Sequence, residues 1–241
     1  MTKILFLGLA AFAASCATQT PAASEPLSAP LRENVLTAEE QDALSPDAVI
    51  ELLRSGNQRF VRNELTLRDH SKMVRKSTDA QYPKAIVLSC VDSRVPVEDV
   101  FDRGIGDVFV ARVAGNFINQ DILGSMEFAC AVAGSKLILV MGHEHCGAVK
   151  AAIDGVELGN ITSMLTKIRP AVTAARSNYS GDTSAANEEF VHEVCERNVI
   201  GAIAAIRSGS PVLAKLEADG DIRVVGAIYD MDTGQVSFLD L

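Results

Sequence analysis

Tryptophan is absent from this 241-residue sequence, and aromatic residues of any kind make up only 5% of it. Histidine is scarce, with four copies. Positive charge is also in short supply, because 22 lysines and arginines face 31 aspartates and glutamates, for a formal net charge of −9. Proteins that bind nucleic acid need clustered Lys and Arg side chains. The charge balance therefore argues against nucleic acid as a partner.

The most apolar run of the sequence is short and lies at its beginning. Residues 4–14 are apolar, follow Lys3 and end just before Cys16. A helix that spans a bilayer needs about 20 residues, whereas this length is typical of the core of an export signal. The small residues before Cys16 resemble a bacterial lipobox, in which the cysteine is acylated after cleavage. Ala13 stands where leucine is usual, so plain cleavage nearby is the alternative, as is an apolar helix packed on the domain.

The composition after this run changes twice along the chain. We predict a signal peptide of the lipoprotein type over residues 1–15, and a linker rich in Ala, Ser, Thr and Pro over residues 16–37. A single domain is then expected over residues 38–241, since this length suffices for one sizeable core. The protein would be exported and either periplasmic or anchored to a bacterial membrane through a lipidated Cys16.

Strand-like and helix-like segments alternate through the predicted domain. Ser45, Pro46 and Asp47 form a typical helix start. Apolar, β-branched runs predict four strands, and a fifth follows a turn at residues 232–234. The predicted strands are residues 84–90, 107–112, 136–141, 222–229 and 235–239; the predicted helices that separate them include residues 97–101, 119–133, 146–155, 160–169 (capped by Asn160), 187–208 and 211–218. This alternation predicts an α/β fold with a mainly parallel sheet flanked by helices.

Two short motifs follow predicted strands. Residues 89–94 read SCVDSR and residues 142–147 read GHEHCG. Together they supply Cys90, His143 and Cys146. In parallel sheets, binding sites lie beyond the carboxyl ends of the strands, which is where both motifs fall. Catalytic zinc sites use three thiolate or imidazole ligands and keep one position open. The motifs therefore predict a metal site, although Cys90 taken alone would be read as a buried core residue.

The first motif also carries a carboxylate, that of Asp92, and a guanidinium group, that of Arg94. A carboxylate near a metal can accept a hydrogen bond there, and an arginine can hold it ionised with a two-point grip. The alternative is an ordinary surface ion pair, which contributes little. Their position beside Cys90 favours the functional interpretation.

The two motifs, in this order, closely resemble those of the β-class carbonic anhydrases, and the likeness extends from about Leu52 to the turn at residues 229–234. The resemblance implies a zinc enzyme that interconverts carbon dioxide and bicarbonate, with one Zn²⁺ per subunit and a homodimer or dimer-built oligomer. It assigns zinc binding to Cys90, His143 and Cys146. It assigns the catalytic dyad to Asp92 and Arg94.

Further matches indicate the plant-like subgroup of that family. Gln81 is similar to its substrate-binding glutamine, and Phe109 to an aromatic residue that walls the pocket. Phe128 falls where tyrosine is usual, so the apolar wall is kept while a hydroxyl is lost. Without the resemblance, both phenylalanines would be read as core residues. The other subgroup has a tryptophan where this chain has Val87, which implies that a regulatory bicarbonate site is absent.

Several points stay open from the sequence. His145 is either a proton shuttle or a surface histidine, and Cys130 and Cys195 are either buried thiols or a pair. Two thiolate ligands cancel the formal charge of zinc, so we expect activity to rise on the alkaline side of neutrality. The alternative functions are a relative that hydrolyses carbon disulfide and a non-catalytic zinc-binding module of the cell envelope.

Overall fold

A computed structural model describes residues 34–240 of the chain. The predicted signal peptide, Cys16 and most of the predicted linker lie outside the described residues, so the expectations for residues 1–33 stay predictions.

Five strands form one sheet in the order β2-β1-β3-β4-β5. The first four are parallel to one another, and β5 pairs antiparallel to β4 as a hairpin. The strands are β1 (Ala85–Ser89), β2 (Val108–Arg112), β3 (Leu137–His143), β4 (Arg223–Tyr229) and β5 (Val236–Phe238). All five strands were predicted from the sequence, and the mainly parallel α/β fold is confirmed.

Helices precede β1 and connect the four parallel strands. They are α1 (Ala38–Asp42), α2 (Pro46–Val61), α3 (His70–Lys76), α4 (Val97–Val100), α5 (Gln120–Glu127), α6 (Gly147–Asp154), α7 (Gly159–Leu165), α8 (Arg169–Asn178), α9 (Glu188–Gly209) and α10 (Pro211–Asp219). Ser45 caps α2 as predicted, since its side chain accepts a hydrogen bond from the amide of Ala48 at 3.2 Å. Asn119 caps α5 in the same way.

The core lies on both faces of the sheet. Alternate side chains of β1 enter two separate buried clusters, as the two-residue period of a strand requires. Ile86 and Leu88 pack with α6, α8 and α9, while Ala85 and Val87 pack with α2 and α4. Helices therefore cover both faces, and the carboxyl ends of β1 and β3 meet at one edge.

One predicted helix is wrong. The sequence predicted a helix from Asn160 to Arg169, whereas the chain forms α7 to Leu165 and begins α8 at Arg169. Pro170 explains the break, because proline has no amide hydrogen to continue a helix but is favoured in a first turn. Another predicted helix, residues 119–133, changes character within its length: α5 passes into a π-helical turn at Phe128–Val132.

No single helix among residues 34–240 is long and apolar enough to cross a membrane; α9 and α10 meet that length and composition only when taken together, across a bend of 98°.

Candidate metal centre

Three side chains with metal-binding atoms converge at the carboxyl edge of the sheet. Cys90 directly follows β1, His143 is the last residue of β3, and Cys146 is the N-cap of α6. β1 and β3 are neighbouring parallel strands, so their ends bring the first two residues together. The Sγ atoms and the imidazole nitrogen all lie within 4.8 Å of one another. The cluster matches the predicted ligand set.

The histidine of this cluster has a free lone pair. His143 is 1% exposed, and its Nδ1 lies 2.8 Å from the carbonyl oxygen of Glu144. Donation from Nδ1–H to that oxygen fixes the tautomer with the lone pair on Nε2. Nε2 itself is buried without a hydrogen-bond partner within residues 34–240. A buried nitrogen left unpaired beside two thiols fits a divalent metal ion, which would take that lone pair.

One thiol of the cluster, that of Cys90, is unlike the other described cysteines. Hydrogen bonding to Cys146 lowers the pKa of Cys90 to about 4 against the opposing effect of burial, with help from the Gly115 amide. The same bond, together with burial, raises the pKa of Cys146. Cys130 and Cys195 are free thiols, and burial raises the pKa of each to about 12. The thiol that ionises readily is therefore one of the cluster, as a metal ligand requires.

The loop that carries Cys90 is held by residues that the sequence did not single out. Arg112, the last residue of β2, donates through Nε to the carbonyl oxygen of Cys90 at 2.8 Å and through its guanidinium to that of Asp92. The amide of Gly115 donates to the Sγ of Cys90 at 3.3 Å. The only sign of this role in the sequence is that an arginine, Arg112, ends the predicted strand at residues 107–112.

Asp92 and Arg94 form a two-point ion pair next to the cluster. Arg94 Nε and Nη2 donate to the two carboxylate oxygens of Asp92 at 2.9 and 2.8 Å, and the Arg94 amide adds a third hydrogen bond at 3.0 Å. These bonds hold the pKa of Asp92 well below the ordinary value of an aspartate. Both oxygens accept hydrogen bonds from Arg94, so the residue two positions after Cys90 carries an ionised carboxylate.

The predicted pocket residues lie at the other end of the strands. Gln81 is exposed and precedes the amino end of β1. Phe109, which pairs with Ile86 near the start of β2, makes an edge-to-face contact with Phe128 at 6.1 Å. Both rings line a surface cavity of about 760 Å³, and Phe128 is 50% exposed. Ile86 precedes Cys90 by four residues, about 13 Å of strand, so one chain does not bring these residues to the cluster.

His145 lies in the turn between the two ligands His143 and Cys146. It adopts a φ of +52°, and its Nδ1 is 2.9 Å from a Glu188 carboxylate oxygen. Its Nε2 is 3.8 Å from Asp232. The side chain is 35% exposed, so both roles considered for it, proton shuttle and surface histidine, stay predictions.

Comparisons with known proteins show what the chain is similar to. A sequence model of a family described as carbonic anhydrase matches residues 85–236. Carbonic anhydrase 2 of Mycobacterium tuberculosis is 32% identical over 202 residues, which cover 81% of this chain and 94% of that protein. A carbonic anhydrase of Mycolicibacterium smegmatis is 34% identical over 199 residues, 80% of this chain and 92% of the relative.

Solved structures share the fold. A β-carbonic anhydrase of Coccomyxa, in complex with acetazolamide, is 26% identical with a TM-score of 0.63, covering 79% of this chain and 84% of that one. A tetrameric β-carbonic anhydrase of Sordaria macrospora is 24% identical with a TM-score of 0.65, covering 71% and 87% of the two chains.

Proposed function

The chain belongs to the carbonic anhydrase family, and from that premise we propose that it is a zinc-dependent, plant-like member of the β class that interconverts carbon dioxide and bicarbonate. The observation that carries the proposal is the buried, unpaired Nε2 of His143 facing the sulfurs of Cys90 and Cys146. One imidazole and two thiolates are a zinc ligand set, and a fourth protein ligand is what a closed, structural site would add. We assign one Zn²⁺ per subunit to these three residues.

Zinc in such a site supplies a Lewis acid that makes a water molecule a nucleophile near neutral pH. The residues of the chain would do the rest. Asp92, kept ionised by Arg94, offers lone pairs that accept a hydrogen bond from the attacking water and so fix its orientation. Arg94 Nη2 also donates to the carbonyl oxygen of His145 at 3.5 Å. This contact connects the Asp92–Arg94 pair to the turn between His143 and Cys146. A purely structural metal site needs none of these contacts.

The substrate pocket requires a second copy of the chain. We propose a homodimer, or an oligomer built from it, in which one protomer supplies Gln81, Phe109 and Phe128 to the metal centre of the other. The separation of these residues from Cys90 within one chain supports this, as does the half-exposed Phe128 ring at an apolar cavity. In that arrangement the two rings would keep water away from a non-polar substrate, and the Gln81 amide would donate to a substrate oxygen.

Stopped-flow hydration of carbon dioxide tests the metal assignment. Zinc-loaded wild-type protein should be active, and Cys90→Ser should lose nearly all activity together with its zinc. Cys130→Ser is the matched control, because Cys130 is also a buried free thiol but lies outside the cluster. Full activity in Cys90→Ser, or equal losses in both variants, would contradict the assignment.

The same preparation separates the rival functions. Turnover of carbon disulfide without carbon dioxide hydration would identify a hydrolase that uses the same ligands. Zinc binding with neither activity would identify a non-catalytic module.

We further propose that the protein is exported and anchored through Cys16, on the strength of the apolar run at residues 4–14 and the small residues that follow it. Metabolic labelling of expressing bacteria with a fatty acid should mark the wild-type protein and leave Cys16→Ser unlabelled. An unlabelled wild-type protein in the periplasm would keep the export proposal and contradict the lipid anchor. A cytoplasmic protein would contradict both.

A further inference from the structure

Helix α9 packs unusually close to the strand that carries His143. A Cβ atom built on Gly142, in the middle of this contact, would meet the Val199 side chain at 2.9 Å. Real Cβ atoms almost never come that near, so the glycine permits the approach. The consequence is that short polar side chains on this face of α9 reach the backbone around the metal centre.

Asn198 is the first of these side chains. It is 5% exposed, and its Nδ2 donates to the carbonyl oxygen of Gly115 at 2.8 Å. Gly115 has a φ of +82°, and a Cβ there would meet Ile168 at 2.4 Å. The hydrogen bond from Asn198 fixes the peptide unit that follows Gly115, and so restrains the backbone of this residue from its carbonyl side.

The orientation of Gly115 matters because its amide points at a ligand. That N–H donates to the Sγ of Cys90 at 3.3 Å. Asn198 therefore contacts Cys90 through one intervening residue. Three residues earlier on the same face of α9, the thiol of Cys195 donates to the carbonyl oxygen of His143 at 3.3 Å. The loop after β2, whose Gly115 amide faces Cys90, and the end of β3, which carries His143, are thus both fastened to α9.

We propose that Asn198 is a positioning residue for the metal centre, which holds Gly115 so that its amide stays hydrogen-bonded to the Cys90 sulfur. The inference rests on the proposed function, since it concerns the same site. A hydrogen bond to a thiolate withdraws electron density from the sulfur, so the sulfur donates less to the metal and the metal stays the stronger Lewis acid. Without Asn198, Gly115 would turn, the bond would lengthen, and the ligand loop would loosen.

Cobalt substitution gives a direct readout of that bond. Co²⁺ in the site absorbs in the near ultraviolet by charge transfer from thiolate to metal, and the band moves to longer wavelength when a thiolate loses a hydrogen bond. Asn198→Leu keeps the number and branching of the side-chain heavy atoms and removes the donor. We expect its cobalt band to move to longer wavelength, and its metal to be lost to a chelator roughly 10-fold faster. Where Asn198→Leu does not give folded protein, Asn198→Ser serves instead, because its hydroxyl is too short to reach Gly115.

Asn57 provides the matched control. It is as deeply buried as Asn198, and it donates to the carbonyl oxygens of Val100 and Gly234 at 3.1 and 2.9 Å, away from the metal centre. Asn57→Leu should lower thermal stability without moving the cobalt band. An unmoved band in both Asn198 variants, or an equal movement in Asn57→Leu, would overturn the inference. Wild-type protein that takes up no cobalt would instead contradict the metal site itself.

Discussion

Two buried polar clusters of this molecule are built on opposite plans. In the Asp102 cluster (Asp102, Arg59, Thr66 and Arg68), the carboxylate is completely buried and each of its oxygens accepts two hydrogen bonds. Oδ1 takes the Thr66 amide at 3.0 Å and the Arg68 guanidinium; Oδ2 takes the Thr66 hydroxyl at 2.6 Å and the Arg59 guanidinium. In the metal centre, by contrast, the Nε2 of His143 has no partner within residues 34–240.

The difference shows what distinguishes a structural polar cluster from a binding site. The Asp102 cluster fastens α2 and the loop after it to the end of α4, and it has no capacity left for a ligand. The metal centre is equally buried, yet its three metal-binding atoms lie close to one another and the lone pair on Nε2 of His143 has no hydrogen-bond partner. Burying unpaired polar atoms costs free energy, so such a set is stable only when something outside the chain completes it. Four predictions test this contrast.

The largest expected effect is that of metal removal. Zinc at about 1,000 times its dissociation constant should stabilise the folded chain by about 4 kcal/mol, because the unfolded chain lacks the site. Urea unfolding with zinc and with a chelator measures the difference. His143→Ala should abolish it, and Asp102→Asn should keep it. A zinc-dependent gain that survives in His143→Ala would remove the distinction between the clusters.

Asp102→Asn should cost about 3 kcal/mol of unfolding free energy, because it leaves two arginines facing a neutral amide. The backbone tolerates the change, since Asp102 has a φ of +51° and asparagine also adopts that region readily. Folded Asp102→Asn should retain its activity per molecule. The exposed Asp154→Asn is the control and should stay within about 0.5 kcal/mol of wild type. An activity loss in folded Asp102→Asn would show that this cluster is not purely structural.

The contribution of Asp102 should also depend on pH in a defined direction. Burial opposes its ionisation, but hydrogen bonds from Thr66 and Arg59 outweigh burial and keep its pKa below the ordinary value. A lowered pKa in the folded state means that the stabilisation is complete above the unfolded value of about 3.9 and is lost as pH falls through the folded value. The stability gap between wild type and Asp102→Asn should therefore be constant from pH 5 to 8 and shrink in acid. A gap that widens in acid would contradict this account.

The two clusters were not equally visible in the sequence. Cys90, His143 and Cys146 could be predicted because each follows a strand with an apolar, β-branched signature, and parallel neighbours end at the same edge. The Asp102 cluster joins residues 34 to 43 positions apart on helices and loops, where no period or motif marks the partners. The hydrogen bonds from α9 to Gly115 and His143 could not be predicted for the same reason. Asn198 and Cys195 lie within an Ala-rich helix, where they look like ordinary core residues.

The sequence likewise could not show how Gln81, Phe109 and Phe128 are placed relative to the cluster. Their roles were predicted from a resemblance, and a resemblance does not say whether residues meet within one chain or between two. The distance along β1 from Ile86 to Cys90 is what favours a meeting between two chains over a meeting within one. The break between α7 and α8 is hidden in the sequence because the apolar spacing continues through it, with Pro170 as the only sign of a new first turn.

The smallest effect concerns two ion pairs of matching geometry. Arg207 grips Glu217 at 2.8 and 2.9 Å, as Arg94 grips Asp92, and both arginines are about half exposed. Exposed pairs contribute little to stability, so Arg207→Leu should cost about 0.5 kcal/mol and leave activity unchanged. Arg94→Leu should lower the melting temperature no more than that variant does. Its kcat/KM should nevertheless fall roughly 10- to 100-fold, because Asp92 loses the partner that orients it beside the metal. If both variants kept full activity, the Asp92–Arg94 pair would be a surface ion pair like the other, and only the three ligands would set the metal centre apart from the rest of the buried polar structure.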